Sequence, residues 1–330
     1  MIYVGNRYEI IEEIGRSSNS CLYKGRDSNN GEFVMISILD KGIIRSDRFI
    51  SNLIDEATSV NEINSPSILK IKNVGMEEHS DKSKMYYIIS EYMQGSTLSE
   101  LSKMHKLELD EIIIILRQVL NALDVIHSYD IYHGYLQPSN IIIDEGYNVK
   151  LSNIGIIKAN NKIFNNGIKL FNKNFKYMCP HQVCLGYTDK SSDFYALGII
   201  MFELIFGKHP YGDTSNKEEI IKKMDKGINW DKIDDKNIPP KIKIILKKLL
   251  SRNDRYKTPK EVIIDLSDYL YEVENIEQID EDIKQEKYEE ENINEKNFKR
   301  NKKGIFKFSK IAVIGFILIF SCLVIGITIK

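Results

Sequence analysis

The spacing of apolar residues changes character once along this chain, near Thr97, and that change sharply limits the folds available to it. From residue 8 to about 90, short apolar runs are separated by Gly, Asn and Asp. The runs YEIIEEIG, SCLYKGRD, FVMISIL, ILKIKNVG and MYYIISEY have the length and the β-branched and aromatic content of strands. One helical stretch, from about Asp47 to Ile63, interrupts them. Beyond Thr97 the spacing is helical, apart from a hairpin-like IIIDEGYNVKLSN. A sheet-rich part with one helix, followed by a helix-rich part, predicts an α+β domain of two lobes, 8–92 and 93–271.

The end of the chain obeys a different rule. Ile311 to Ile329 is uncharged over its whole length and long enough to cross a bilayer as a helix. A soluble core helix would carry polar residues along one face, and this run has only Ser321 and Thr328. Lys299, Arg300, Lys302, Lys303, Lys307 and Lys310 precede it, which predicts a single-pass anchor with the preceding domain in the cytoplasm and affinity for anionic lipid. Residues 272–298 are acidic and read as a solvated linker, leaving 299–310 as a basic juxtamembrane segment. A net charge of -1 excludes an ordinary nucleic-acid binder. The four cysteines lack metal-ligand spacing, so neither a zinc site nor a disulfide framework is expected. Met1 to Glu13 has no apolar stretch behind a basic end, so no signal peptide is expected there.

Five segments occur in an informative order: RYEIIEEIGRSSNSCLYKGRD, IYHGYLQPSNIIID, VKLSNIG, YMCPHQVCLGYTDKSSDFYALGIIMFELIFGKHPYG and NDRYKTPKEV. Together they resemble the protein-kinase fold, and most of all the bacterial membrane-bound Ser/Thr kinases. They stand where that family has its Gly-rich loop, HRDLKPxNIL, DFG, the end of the activation segment with the helix after it, and the last conserved block. The resemblance implies a chain without the family's extracellular sensor repeats.

Phosphoryl transfer is positioning and charge neutralisation around phosphates, so it demands particular charges. The resemblance puts Ser37 at the strand lysine that neutralises phosphates, Tyr135 at the HRD aspartate and Asn153 at the magnesium-binding DFG aspartate. Retained motif positions are Glu56, His133, Asn140, Gly155 and Asp193, and Asn140 is the one residual magnesium contact. Glu56 is expected to lack its partner. Lys24 is expected to point outward and not to replace the missing cation. Gly15, Leu22, Met35 and Ser90 line the nucleotide pocket by the same resemblance, and Met35, where the family has alanine, would fill the adenine space. The Gly-rich run keeps only its first glycine, in Gly15-Arg16-Ser17-Ser18-Asn19-Ser20. No Ser, Thr or Tyr lies between Ile154 and Lys176, and Gly134 replaces the HRD arginine, so the phosphorylation switch is dismantled. His181 replaces the APE glutamate, leaving Arg255 to find another acceptor.

Val60, Ile71, His133 and Ile154 fall at the four positions of the family's hydrophobic spine, and Asp193 matches the aspartate that anchors the catalytic-loop backbone. Packing residues remain where phosphate chemistry is lost, as in a pseudokinase. Three functions stay open. One is a membrane-tethered scaffold that binds a protein, such as an active kinase, and needs no cofactor. The others are a divergent kinase using ATP and magnesium, and a sensor that binds ATP without chemistry.

Overall fold

The computed structural model describes residues 2–16, 20–39, 48–161, 175–212, 216–233 and 238–272. The chain divides into two units, Met1–Tyr269 and Leu270–Lys330. Only residues 270–272 of the second are described, so the membrane helix expected at 311–329 and its flanking segments lie outside the described residues. Among the described residues no helix is long and apolar enough to cross a membrane.

The upper lobe is a six-stranded antiparallel sheet with one helix. Its strands are β1 (Ile2–Val4), β2 (Tyr8–Arg16), β3 (Ser20–Asp27), β4 (Phe33–Leu39), β5 (Ile71–Glu78) and β6 (Lys84–Glu91), in the order β1-β2-β3-β4-β6-β5. β4 is central and buried on both faces, which is why FVMISIL is nearly continuous in apolar residues rather than alternating. Its Val34 and Ile36 pack with Val4, Tyr8, Tyr87 and Ile89 on one side. Met35 faces the opposite way, toward the lower lobe. Strand β1 precedes the Tyr8 boundary read from the sequence and pairs Ile2–Val4 with Tyr8–Ile10.

The helix of this lobe, α1 (Arg48–Asn61), buries Phe49, Leu53, Glu56, Ala57 and Val60. That spacing defines one helical face, and a carboxylate sits in the middle of its apolar stripe. At its end Asn61 makes two hydrogen bonds to the backbone of Ile71, which fixes α1 to β5.

The lower lobe begins with a small sheet of β7 (Ser96–Thr97), β8 (Ile141–Ile143) and β9 (Val149–Leu151). The hairpin-like stretch of sequence is β8 and β9. Helices α2 (Leu98–Met104), α3 (Leu109–Ser128), α4 (Ile156–Asn161), α5 (Pro180–Leu185), α6 (Lys190–Phe206), α7 (Lys217–Lys226) and α8 (Pro240–Leu249) follow, and a further helical run begins at residue 259. α3 starts at a reciprocal cap in which the Glu108 N–H donates to the Glu111 carboxylate at 2.8 Å. α6 is buried from Ser192 to Phe202 and forms the middle of the lobe. It starts on the Asp189 cap and stops at Gly207, whose φ of 64° ends a helix at little cost.

Candidate functional site

The two lobes meet where the resemblance puts a nucleotide. Residues paired directly across an antiparallel sheet share a face. Met35 pairs with Lys24 on one side and Ser90 on the other, so all three look into the cleft. Met35 is 0% exposed and packs in one cluster with Leu22, Leu69, Met93 and Ile142. Leu22 belongs to the upper sheet and Ile142 to the lower one, so the cluster around Met35 joins the two lobes. At the mouth of the cleft, Gly15 lies so close to Thr97 that a Cβ on the glycine would come within 2.7 Å of the Thr97 methyl.

Lys24 corrects an expectation. It does not point outward; its ammonium lies 4.9 Å from the Phe33 ring centre, 5.3 Å from that of Tyr92 and 3.4 Å from Glu12 Oε1. The hydrogen bond to Glu12 raises its pKa. Lys24 thus shares Met35's face yet is engaged by a carboxylate and two rings.

Glu56 corrects another. With Ser37 in place of a cation, a buried carboxylate should be costly. Lys158 of α4 supplies the charge, its Nζ 3.3 Å from Glu56 Oε2. The Glu56 side chain is 2% exposed and that of Lys158 35%, so the cation reaches inward from the surface. Ser37 Oγ is buried without a hydrogen-bond partner among the described residues.

The catalytic-loop equivalent is held by Asp193. This fully buried carboxylate accepts from the His133 N–H at 2.9 Å, the Gly134 N–H at 2.7 Å and His127 Nε2 at 2.9 Å. Gly134 has a φ of 65°, a conformation that L residues rarely adopt, and a Cβ there would meet Thr188 at 2.9 Å. The loss of an arginine at this position and the shape of the loop therefore go together. Burial lowers the His133 pKa, against the opposing pull of Asp193, and its Nδ1 accepts from the Tyr135 N–H at 3.3 Å. A neutral, buried imidazole hydrogen-bonded within its own loop is a packing group. Val60, Ile71 and Ile154 are buried like His133.

Asn140 and Asn153 are turned onto each other. Asn140 Nδ2 donates to the Tyr135 carbonyl at 2.7 Å, which fixes its amide orientation. Its Oδ1 then accepts from Asn153 Nδ2 at 2.9 Å. Asn153 sits at a φ of 62°, tolerable for Asn, and Gly155 follows at 89°. The oxygen Asn140 would offer a cation already accepts a hydrogen bond from its neighbour. Tyr135 is buried and lines a small cavity with Tyr177, Met178 and Gln182.

His181 stands among Cys179, Ser192, Asp189 and Arg255. Its Nε2 is 3.1 Å from both Cys179 Sγ and Ser192 Oγ, and 3.5 Å from Asp189 Oδ1. Thiol, imidazole and carboxylate adjoin, but burial raises the Cys179 pKa and lowers that of His181, so the thiolate form is disfavoured. Arg255 finds its acceptor in the Ser191 carbonyl at 3.0 Å. Among the described residues no group of His, Cys, Asp and Glu could hold a metal ion.

This architecture has counterparts. The family model for the protein kinase domain matches residues 8–264. The chain belongs to the protein kinase family. It is 28% identical to a probable serine/threonine-protein kinase of Clostridium perfringens, over 80% of this chain and 38% of that protein. It is 33% identical to the probable serine/threonine-protein kinase PknB of Lactococcus lactis, over 65% of this chain and 35% of that protein. It is 28% identical to the serine/threonine-protein kinase PrkC of Bacillus subtilis, over 80% of this chain and 40% of that protein. The chain thus spans two fifths or less of the length of these relatives.

Within this kinase fold the structure brings Leu22, Met35 and Ser90 to one face of the cleft, Gly15 to its mouth, and His133, Tyr135, Asn140, Asn153 and Asp193 to one loop system. Thr97, His127, Ile142 and Lys158 are among the participants that escaped the sequence reading. Lys158 carried a usable signal, being the first cation after the DFG equivalent, separated from Gly155 only by Ile156 and Ile157.

Proposed function

We propose that this protein is a pseudokinase, a kinase-family domain that binds another protein rather than transferring phosphate. The observation that carries this reading is Met35, fully buried between Leu22 and Ile142, where it does the packing that an adenine ring would otherwise do. The residues present do not fit a magnesium nucleotide. Ser37 brings no charge, Tyr135 is no base at neutral pH, and the Asn140 oxygen is taken by Asn153. No cofactor is expected on this reading. The domain limits are 8–271 for the kinase-like part, 272–298 for an acidic linker, 299–310 for a basic segment and 311–329 for a membrane helix. The helix and basic segment bind the bilayer with the kinase-like domain in the cytoplasm, and an active kinase is one candidate partner.

The deciding experiment is thermal shift of the full chain with ATP, with and without magnesium, run beside a transfer assay. No shift and no transfer are expected. A shift without transfer would make the protein a nucleotide sensor. Transfer above a heat-killed control, abolished by Asn140→Ala, would make it a divergent kinase. That second reading draws on the similarity to serine/threonine-protein kinases and on the retained Asn140 and Glu56. Topology has its own test: protease added outside intact cells should spare the domain, and deleting residues 311–330 should release it from membranes.

A further inference from the structure

We infer that Lys158 is a relocated substitute for the missing strand cation, and that it moves the ionic anchor of α1 from the sheet to the segment following Asn153. The argument starts from the buried face of α1. Glu56 lies on that face, and the strand position that would neutralise it holds Ser37. Lys158 reaches Glu56 from α4, at 3.3 Å.

The ion pair is one of four ties between the same two helices. One turn before Glu56, Asn52 Nδ2 donates to the Ala159 carbonyl at 3.0 Å. Ile156 and Ala159, both fully buried, pack in one cluster with Phe49, Leu53 and Ala57, which also includes Leu39, Ile71, Tyr86 and Ile88 of the sheet. At the entry to α4, Gly155 approaches so closely that a Cβ there would stand 2.9 Å from Glu56 Cβ. Its φ of 89° provides the turn that allows the approach. Charge, hydrogen bond, apolar packing and close backbone approach all join the first three turns of α1 to α4. The last turn is held separately, by Asn61 on β5.

Helix α1 is therefore latched by a segment of the chain itself, without need of a nucleotide or of a β4 lysine. The sheet still packs on α1 through Phe49 and Tyr86, so displacing α4 takes away the charged and hydrogen-bonded ties and loosens the first three turns. The inference concerns conformation alone and does not depend on whether the protein transfers phosphate.

Hydrogen exchange on the full chain tests it. Lys158→Met should speed amide exchange at least tenfold across residues 49–57, while β4 and β6 keep their protection and Asn61 continues to hold the last turn. Lys158→Arg should keep the native pattern. In a Glu56→Gln background, Lys158→Met should add little, because the charge it serves is gone. Adding Ser37→Lys to Lys158→Met should restore protection of α1, since Glu56 then has a cation on the strand. Unchanged exchange in Lys158→Met, or an equal increase in the Glu56→Gln background, would overturn the latch. Failure of Ser37→Lys to restore protection would overturn the claim that one cation replaces the other. Isosteric Glu56→Gln and a substitution at the partly exposed Lys158 should both leave a folded domain to measure.

Discussion

Two constellations in this molecule began from comparable demands and now differ. Around Asp193 a buried carboxylate accepts from two backbone N–H groups and a histidine, all supplied by the protein. Around Ser37, Asn140 and Asn153, the family's charges served groups outside the protein, phosphates and magnesium. The Asp193 centre is intact, and on the reading proposed above the other is satisfied mostly from within the fold. Asn153 caps Asn140, Lys158 neutralises Glu56, and Met35 packs between the lobes. A charge whose partners lie within the fold is kept by the fold. One whose partner is a ligand loses its physical reason to persist once that ligand no longer binds, and becomes a desolvation cost to be removed.

The largest effect should come from the intact centre. Asp193→Ala removes the acceptor of three buried donors and should destabilise the domain by roughly 3–5 kcal/mol, read from urea unfolding. Asp193→Asn, which keeps one acceptor, should cost less. If Asp193→Ala costs under about 1 kcal/mol, the contrast between the two centres collapses.

Met35→Ala should come next. Removing a fully buried methionine opens a cavity, with a loss of about 2–3 kcal/mol, at the lower end of the range for such truncations because neighbouring side chains can relax. This variant also sharpens the comparison, because the space it opens lies where the resemblance puts the adenine ring. Combined with Ser37→Lys, it should gain a thermal shift with adenine nucleotide yet no transfer, since Tyr135 and Asn153 are unchanged. Micromolar ATP binding by the unmodified protein would refute the closed cleft.

Asn153→Asp probes the rebuilt centre more gently. The carboxylate cannot donate to Asn140 Oδ1, so the variant should lose about 1–2 kcal/mol in the absence of metal. It should also acquire a magnesium-dependent rise in melting temperature, because two oxygens then face each other with a charge between them. A magnesium response already present in the unmodified protein would mean that the Asn140 oxygen is available after all.

The sequence made some of this legible and hid the rest for identifiable reasons. Strands β2 to β6 showed because long apolar runs between turn residues are hard to place elsewhere, whereas β1, three residues with Ile2 and Tyr3 exposed, carries no period to detect. The hairpin at β8 and β9 and the helix at α1 were plain from spacing. The assignment of Ser37, Tyr135 and Asn153 to the family's charged positions rests on motif order alone. The contacts that stand in their place were not legible, since Lys158 meets Glu56, and Gly15 meets Thr97, only through tertiary packing. Lys24 misled because a side chain's face depends on register, and only the pairing with Met35 reveals it.

The smallest expected effect concerns the charge state of the Asp193 centre. His133 is fully buried, and burial lowers its pKa from the ordinary value of 6.5, outweighing the opposing influence of Asp193. Above that value the histidine is neutral in both folded and unfolded chains, and its contribution to stability is fully present. As pH falls below 6.5 the unfolded chain takes up a proton that the folded chain refuses, so stability declines toward the lower folded pKa. One such histidine should cost about half a kcal/mol between pH 6.5 and 6.0. Carboxylates contribute little in that window, because their ordinary pKa values are two units lower. His133→Leu, similar in volume and unable to titrate, should flatten the decline by that amount, while His181, whose pKa burial also lowers, preserves part of it. Urea midpoints of the two proteins across pH 6.0–7.5 decide the matter. Parallel curves would show that the folded protein protonates His133, with Asp193 recruiting the proton. The intact centre would then be an ion pair rather than an anion held by neutral donors.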